Sequence, residues 1–449
     1  MLFVRGAQED FDGWAALGNT GWSFKDTLPH FRNLESTDIG NSQWRGRTGP
    51  MQISALRTMH SLGPVFLEAV REYGAPIIED YNGSSQEGAS APQVTQYKGW
   101  RWSSARAFLD PIRSRKNLII KTGFTVEKIE FSGTRCVGVS ARSTDHTRHV
   151  FSLNPSGEVI LSAGSLGSPK VLMLSGIGPA PQLRSHHINV VQNSPSVGEN
   201  LQEHPNSVVC ASVNVRTYNM EATPLRMLLN TAYWFVTGRG PASSPYPHGV
   251  AFLRSSATEP SPDLQFLFGP FAFSFDENGV VPYREPAVSI VVNTARPEGR
   301  GRITLRSADP CASVRIEHSL LSHPEDVRRQ LAGCRIARKI LSSVAFAPYM
   351  RGEFLPGPNV ENDDDLLEHV RRTSFLGYHP VGTARMGADP ESVVTPELKV
   401  RGILGLRVAD ASIMPRLISA NTNAATLMIA EKAATMILLS RRDTPSSGR

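Results

Sequence analysis

The sequence predicts an α/β chain of composite type, with α/β segments flanking a separate antiparallel sheet-plus-helix lobe. Three observations carry this. Residues 158–164 (EVILSAG) form a short apolar strand that closes in small residues and runs into a helix start. Residues from about 205 to 375 hold several alternating or continuous apolar runs with helical stretches between them. Residues 406–410 (LRVAD) read as a buried strand ending in a carboxylate, and a long apolar helix pattern follows over 424–439.

The opening residues are dense and irregular. Trp14, Trp22 and several glycines occur without a clear period, so a packed extended segment is expected there, and the start reads as the middle of a domain. Leu28-Pro29-His30-Phe31 marks a short helix. Residues 64–73 (PVFLEAVREY) have helical spacing with proline in the first turn. Residues 81–85 are a loop and 103–109 another short helix. Residues 117–122 (NLIIKT) read as a strand, and 124–139 as a small meander turning at Gly133. Ser168 and Pro169 supply a cap and a first helical residue for 170–175, which Gly176 stops. In the middle lobe, 208–215, 263–268, 287–292 and 302–305 read as strands and 326–341 as a helix. Asp363-Asp364-Asp365 suits a helix start, where carboxylates meet the positive dipole end. The tail from Ser440 is polar and expected to be disordered.

Length and composition bound the function. A chain of 449 residues with 40% hydrophobic and 20% charged residues can bury a large core. The net charge of +6 comes without a Lys/Arg cluster interleaved with aromatics, so no nucleic-acid partner is expected. No apolar run is long enough for a membrane span. Residues 1–5 (MLFVR) lack the pattern of a secretory signal, and Cys136, Cys210, Cys311 and Cys334 form no CxxC pair; reduced thiols in a cytoplasmic protein are expected. No GxSxG, HExxH or GxxxxGK[ST] motif occurs, and no Gly-x-Gly continues as GxGxxG after a strand. No metal site is expected: His186-His187 has no third ligand nearby.

Two places could carry chemistry. His379 lies in Gly377-Tyr378-His379-Pro380-Val381-Gly382, too irregular for a helix, with a proline holding the backbone behind the imidazole. An imidazole titrating near neutrality is a natural general base; a structural histidine bonding loop backbone is the competing reading. Asn423, in Asn421-Thr422-Asn423, is placed to cap the last helix. That helix end suits an anionic cofactor or a developing oxyanion, and a plain capping role competes. His204, before Pro205, reads as a packing or hinge residue.

Taken together, these stretches resemble the glucose-methanol-choline (GMC) family of flavin-dependent oxidoreductases. The likeness rests on motifs in the family's order: Asp10-Phe11-Asp12-Gly13-Trp14, Gly18-Asn19-Thr20-Gly21-Trp22 and Leu28-Pro29-His30-Phe31, then Gly164-Ser165-Leu166-Gly167-Ser168-Pro169 with Leu174-Ser175-Gly176-Ile177-Gly178-Pro179. Val197-Gly198-Glu199-Asn200-Leu201-Gln202-Glu203-His204-Pro205 follows, with Glu203 where aspartate is usual. His379-Pro380-Val381-Gly382-Thr383, Val408-Ala409-Asp410-Ala411-Ser412 and Asn421-Thr422-Asn423 complete it. The branch is similar to bacterial choline- and alcohol-dehydrogenase-like members.

The resemblance implies a truncated Rossmann-like FAD-binding domain plus an antiparallel-sheet substrate-binding domain. The FAD-binding part would span 1–204, with a piece of the substrate lobe inserted at about 55–105. The substrate domain would span 205–375, and the catalytic C-terminal part 376–440, followed by a disordered tail over 441–449. It also implies an alcohol substrate, FAD, and an acceptor such as a quinone or oxygen. His379 would take the hydroxyl proton, Asn423 would hydrogen-bond the alkoxide, and hydride would pass to flavin N5. Val126 would contact the adenine side through backbone, Asp410 and Ala411 the pyrophosphate–ribityl stretch, and Asn421 and Thr422 the flavin. The family's N-terminal GxGxxG unit does not occur in this sequence, so the first βαβ unit is expected to be missing. A cofactor-free, inactive remnant and a flavin-bearing hydroxynitrile-type lyase are the alternatives.

Overall fold

Two helices open the chain, α1 (Gln8–Ala16) and α2 (Phe24–Leu34). The first corrects the expected extended segment. Phe11 and Trp14, one turn apart, are both fully buried with rings 5.1 Å apart, and Asp10 accepts from the Ala7 N–H at the helix start. Gly13 inside the helix masked the period. α2 begins at Ser23, whose side chain accepts from the Asp26 N–H while Asp26 reaches back to the Ser23 N–H, a reciprocal cap. The computed structural model describes residues 1–276 and 279–442, so positions 443–449 of the expected tail lie outside the described residues.

α3 (Leu62–Tyr73) stops at Gly74, as its pattern requires. α4 (Gly164–Leu174) starts before the expected Ser168 cap, and Pro169 sits inside it. Proline cannot donate to the carbonyl four residues back. That carbonyl, on Ser165, instead accepts from Thr383 Oγ1 at 2.6 Å, so a neighbouring loop supplies the missing bond. α5 (Ala180–Ser185) is short. α6 (Pro224–Thr237) is a helix that no sequence pattern announced. α7 (Pro324–Leu341), α8 (Asp363–Thr373) and α9 (Asn423–Arg442) complete the set. The strand expected over 117–122 does not form: the segment pairs with no strand, and Ile119 is 78% exposed. An apolar run without a ladder partner has no reason to stay a strand.

The architecture is an α/β composite. A seven-stranded antiparallel sheet runs in the order 350–355, 205–213, 287–294, 264–269, 249–253, 88–90, with 375–376 also paired to the start of 205–213. Side chains alternate across it. Val209, Phe266, Phe268, Ile290 and Val292 face α3, α7 and α8, while Val208, Cys210, Leu267 and Val291 face the other way. The second part is built around a two-stranded parallel pair, 159–161 with 406–408. A meander (124–132, 135–143, 148–152) and α4, α9, α1 and α2 pack around it in one continuous core. The glycine-to-helix turn at 164 and the carboxylate at 410 therefore lie side by side at the ends of adjacent parallel strands.

Candidate active site

His204 and His379 are 175 residues apart in sequence and meet through strand pairing. Gln202 and Val381 exchange backbone hydrogen bonds on one side, and Pro205 opposite Leu376 pairs on the other. Two residues, Glu203 and His204, thus face four, 377–380, and the longer side bulges, with Tyr378 at φ 60°. The bulge carries the His379 ring onto His204, Nδ1 to Nδ1 at 2.9 Å. Gly377 lets the two rings close up: a Cβ on it would lie 3.0 Å from both His204 Cβ and His379 Nδ1 and would crowd them.

The hydrogen-bond chain determines the protonation of each ring. His204 Nε2 lies 3.0 Å from the Ala295 carbonyl and 3.1 Å from the Ile418 carbonyl, so it carries the proton. A neutral His204 then offers Nδ1 as an acceptor, and His379 Nδ1–H donates to it. That leaves the His379 Nε2 lone pair facing Asn421 Nδ2, which donates at 2.9 Å. The amide orientation is consistent, since Asn421 Oδ1 accepts from Gln265 Nε2 at 3.2 Å. Burial, and secondarily His204, hold His379 well below the usual imidazole range. The ring is therefore a neutral base at neutral pH. Beneath it, the Glu203 carboxyl accepts from the His379 backbone N–H at 2.8 and 2.9 Å and from the His204 N–H at 2.9 Å. Burial raises Glu203 to about 7 against the pull of those N–H groups.

His379 opens into a cleft of about 720 Å³, lined among others by Trp102, Tyr246, Leu267, Asn421, Thr422 and Asn423. Of the residues expected from sequence, Asn421, Thr422 and Asn423 come to this cleft with His379. Asn421, rather than Asn423, touches the imidazole. Asn423 is exposed and is the first helical residue, because the first helix bond runs from Thr426 N to the Thr422 carbonyl. Asp410 is buried away from the cleft: Oδ2 accepts from the Gly164 N–H and the Ser168 hydroxyl, and Oδ1 from the Ser412 N–H. It pins the start of α4 to the parallel strands, with Ala411 opening the next turn. Val126 sits mid-strand opposite Ala141 and is 41% exposed. Phe268 stacks on Phe66 on the sheet's other face. Sequence reasoning also missed the roles of Glu203, His204 and Gln265. The available signal was a His-Pro dipeptide, His204-Pro205, like His379-Pro380, although a third, His323-Pro324, only caps α7.

The residues present fit the ring end of a flavin. The N-terminus of α9 opens into the cleft through Asn423 and Thr426, and its first N–H groups have no partner within the helix. No GxGxxG turn between a strand and a helix occurs among the described residues. Nor do those residues hold a cluster of three His, Cys, Asp or Glu able to bind a metal, or a helix long and apolar enough to cross a membrane.

Burial holds His204, His248 and His369 each at about 4, against 6.5 in an unfolded chain. The unfolded state binds more protons between those values, so stability rises with pH across that window. The melting temperature is expected to fall as pH drops from 6.5 to about 4. A flat melting curve over that range would contradict the neutral, buried assignment.

Comparison with known proteins gives consistent matches. Family models described as GMC oxidoreductase cover residues 1–206 and 297–430. An oxygen-dependent choline dehydrogenase of Brucella anthropi is 37% identical over 98% of this chain and 79% of its own length. An alcohol dehydrogenase (acceptor) of Pseudomonas putida is 38% identical, over 98% of this chain and 79% of its own length. Among solved structures, an FAD-dependent oxidoreductase from Chaetomium thermophilum superposes with a TM-score of 0.88 at 25% identity, covering 98% of this chain and 85% of that one.

Proposed function

Since the chain belongs to the GMC oxidoreductase family and is an oxidoreductase acting on CH–OH groups, we propose that it converts a neutral alcohol to an aldehyde or ketone with His379 as the base and FAD as cofactor. The observation that carries this reading is the His204–His379–Asn421 chain, which leaves one unprotonated ring nitrogen facing the cleft. FAD, when bound, supplies the hydride acceptor; His379, Asn421, Thr422 and Asn423 would hold its ring end.

Nε2 of His379 takes the hydroxyl proton. An alcohol is a very weak acid, so a fixed base and a fixed donor to the developing alkoxide are both needed. Asn421 Nδ2 already lies on the base and has a second N–H to offer, which makes it the better placed of the two asparagines. The Glu203 carboxyl behind the ring accepts from the His379 and His204 backbone N–H groups and so fixes the loop that carries the base. His204, held by two carbonyls, keeps the His379 proton on Nδ1 and the ring direction constant. Trp102, Tyr246 and Leu267 give the cleft apolar walls, and Arg101 is the charged side chain among its lining residues. That lining disfavours a cationic alcohol and suits an uncharged one. Val126, Asp410 and Ala411 remain our candidates for the adenosine and pyrophosphate side, Asp410 through the turn it holds. Unbridged cysteines, three of them buried, support the cytoplasmic setting read from the sequence.

The test is an anaerobic absorbance titration of the purified full chain with FAD. Protein-shifted flavin bands should bleach on adding benzyl alcohol, and more slowly with choline. Bound flavin that no alcohol bleaches would sink the reading; faster bleaching by choline would sink its substrate class.

A further inference from the structure

α6 is inverted relative to an ordinary surface helix. A surface helix turns its apolar stripe inward. Here the half-buried positions are Arg226, Asn230, Trp234 and Thr237, whereas Leu225, Leu228, Leu229, Phe235 and Val236 point out and are 67%, 66%, 60%, 70% and 83% exposed. None of its residues is buried. The inward contacts are polar and specific. Arg226 and Asn230 bond Glu221, and the Trp234 indole N–H donates to the Gly99 carbonyl at 2.8 Å. Trp100 packs on Trp234 with centroids 4.2 Å apart. Gly99 and Gly238 lie so close that a Cβ on Gly99 would sit 1.9 Å from the Gly238 carbonyl oxygen. The helix is thus held in place by its polar side, with its apolar side presented outward.

The acidic residue beside it, Glu221, is already paired with Arg216 and Arg226. Residues 222–258 and 88–109, which meet at the Gly99–Gly238 contact, contain no Asp or Glu. They contribute Lys98, Arg101 and Arg239, none of which takes part in an ion pair with a described residue, and all three are exposed. An apolar helix face with basic residues and tryptophan at its border has the composition of an element that lies in a lipid headgroup region. A second copy of the chain is a poor match, because a two-fold contact would set the same unpaired cations against one another.

We propose that α6 with the 97–101 hairpin is a docking surface for a bilayer carrying anionic headgroups. The proposal is independent of the reaction at His379. Arg101 belongs both to this surface and to the cleft lining, so docking holds the cleft mouth beside the lipid.

The test is flotation of the full chain with phosphatidylcholine vesicles, with and without phosphatidylglycerol. The chain should float with the anionic vesicles, less at high salt, and the L228E/V236E double variant should reduce the bound fraction about tenfold without changing the melting temperature. The K98E/R239E variant should lose the preference for phosphatidylglycerol. Absence of flotation, or equal flotation of L228E/V236E, would overturn the proposal. So would a dimer in sedimentation equilibrium that L228E/V236E dissolves while vesicles leave it unchanged, since the face would then join two copies.

Discussion

Replacing His379 by glutamine is expected to lower kcat by about 10²–10⁴-fold, the usual contribution of a positioned general base, with little change in melting temperature. The ring faces the cleft, and glutamine can still donate to His204 Nδ1, so the loss should fall on chemistry rather than on folding. Flavin reduction by excess alcohol in a stopped-flow instrument separates the two. The asparagines provide the internal comparison. Asn421→Ala removes the Nδ2 donor that lies 2.9 Å from His379 Nε2 and should cost on the order of 10²-fold, as loss of an oxyanion donor does. Asn423→Ala, at an exposed first helical residue, should cost far less. A larger effect at Asn423 than at Asn421 would return the partner's role to the residue indicated by the family motif. Reduction by H379Q at the native rate would remove His379 from the chemistry altogether.

Glu35→Gln is expected to destabilise the fold by about 3–5 kcal/mol, the cost of breaking a buried ion pair on one side only. Glu35 Oε1 accepts from Arg5 Nη2 at 2.5 Å, from Arg45 Nε at 2.7 Å and from the Gly46 N–H at 2.9 Å. Arg45 also reaches Asp80 at 2.7 Å. All four side chains are at most 8% exposed. Burial already pushes Arg5 to about 10, with Glu35 opposing that shift. Without the carboxylate, two guanidiniums would share one remaining acid in a site closed to water. The pair cannot be valued as an ordinary surface salt bridge, whose worth is about 0–1 kcal/mol. Urea unfolding monitored by tryptophan fluorescence measures the difference, and a loss below about 1 kcal/mol would show that water reaches the cluster. The cluster ties the segment after Val4 to the 80–93 region, which explains how irregular opening residues are held in a core.

Much of the fold was legible because the signals are local. The helices at 64–73, 326–341 and 424–439 announce themselves through period 3.6, and the parallel strands 159–161 and 406–408 through short apolar runs closed by small residues or a carboxylate. α1 and α6 were not legible, for opposite reasons. In α1 a glycine and two nearby tryptophans broke the period, although Phe11 and Trp14 still bury as neighbours. In α6 the apolar residues are plentiful but lie on the outer face, so their pattern does not report a core. The strand expected at 117–122 failed because a strand exists only with a partner, and a partner is not a property of the segment.

By itself, the sequence determined the α/β composite class, the family, and a His-Pro loop plus a helix start as the places where chemistry can occur. It could do so because caps, periods and motifs are set by residues within a turn or two of one another. Only the tertiary structure decided that Asn421 and not Asn423 meets His379, that His204 directs its proton, and that Asp410 braces α4 behind the cleft. Each of those outcomes depends on groups brought together from 42 to 246 residues apart. Distances of a few ångströms across such separations are set by strand register and by the two-residue bulge opposite Glu203 and His204. Neither is written in any local stretch of the chain.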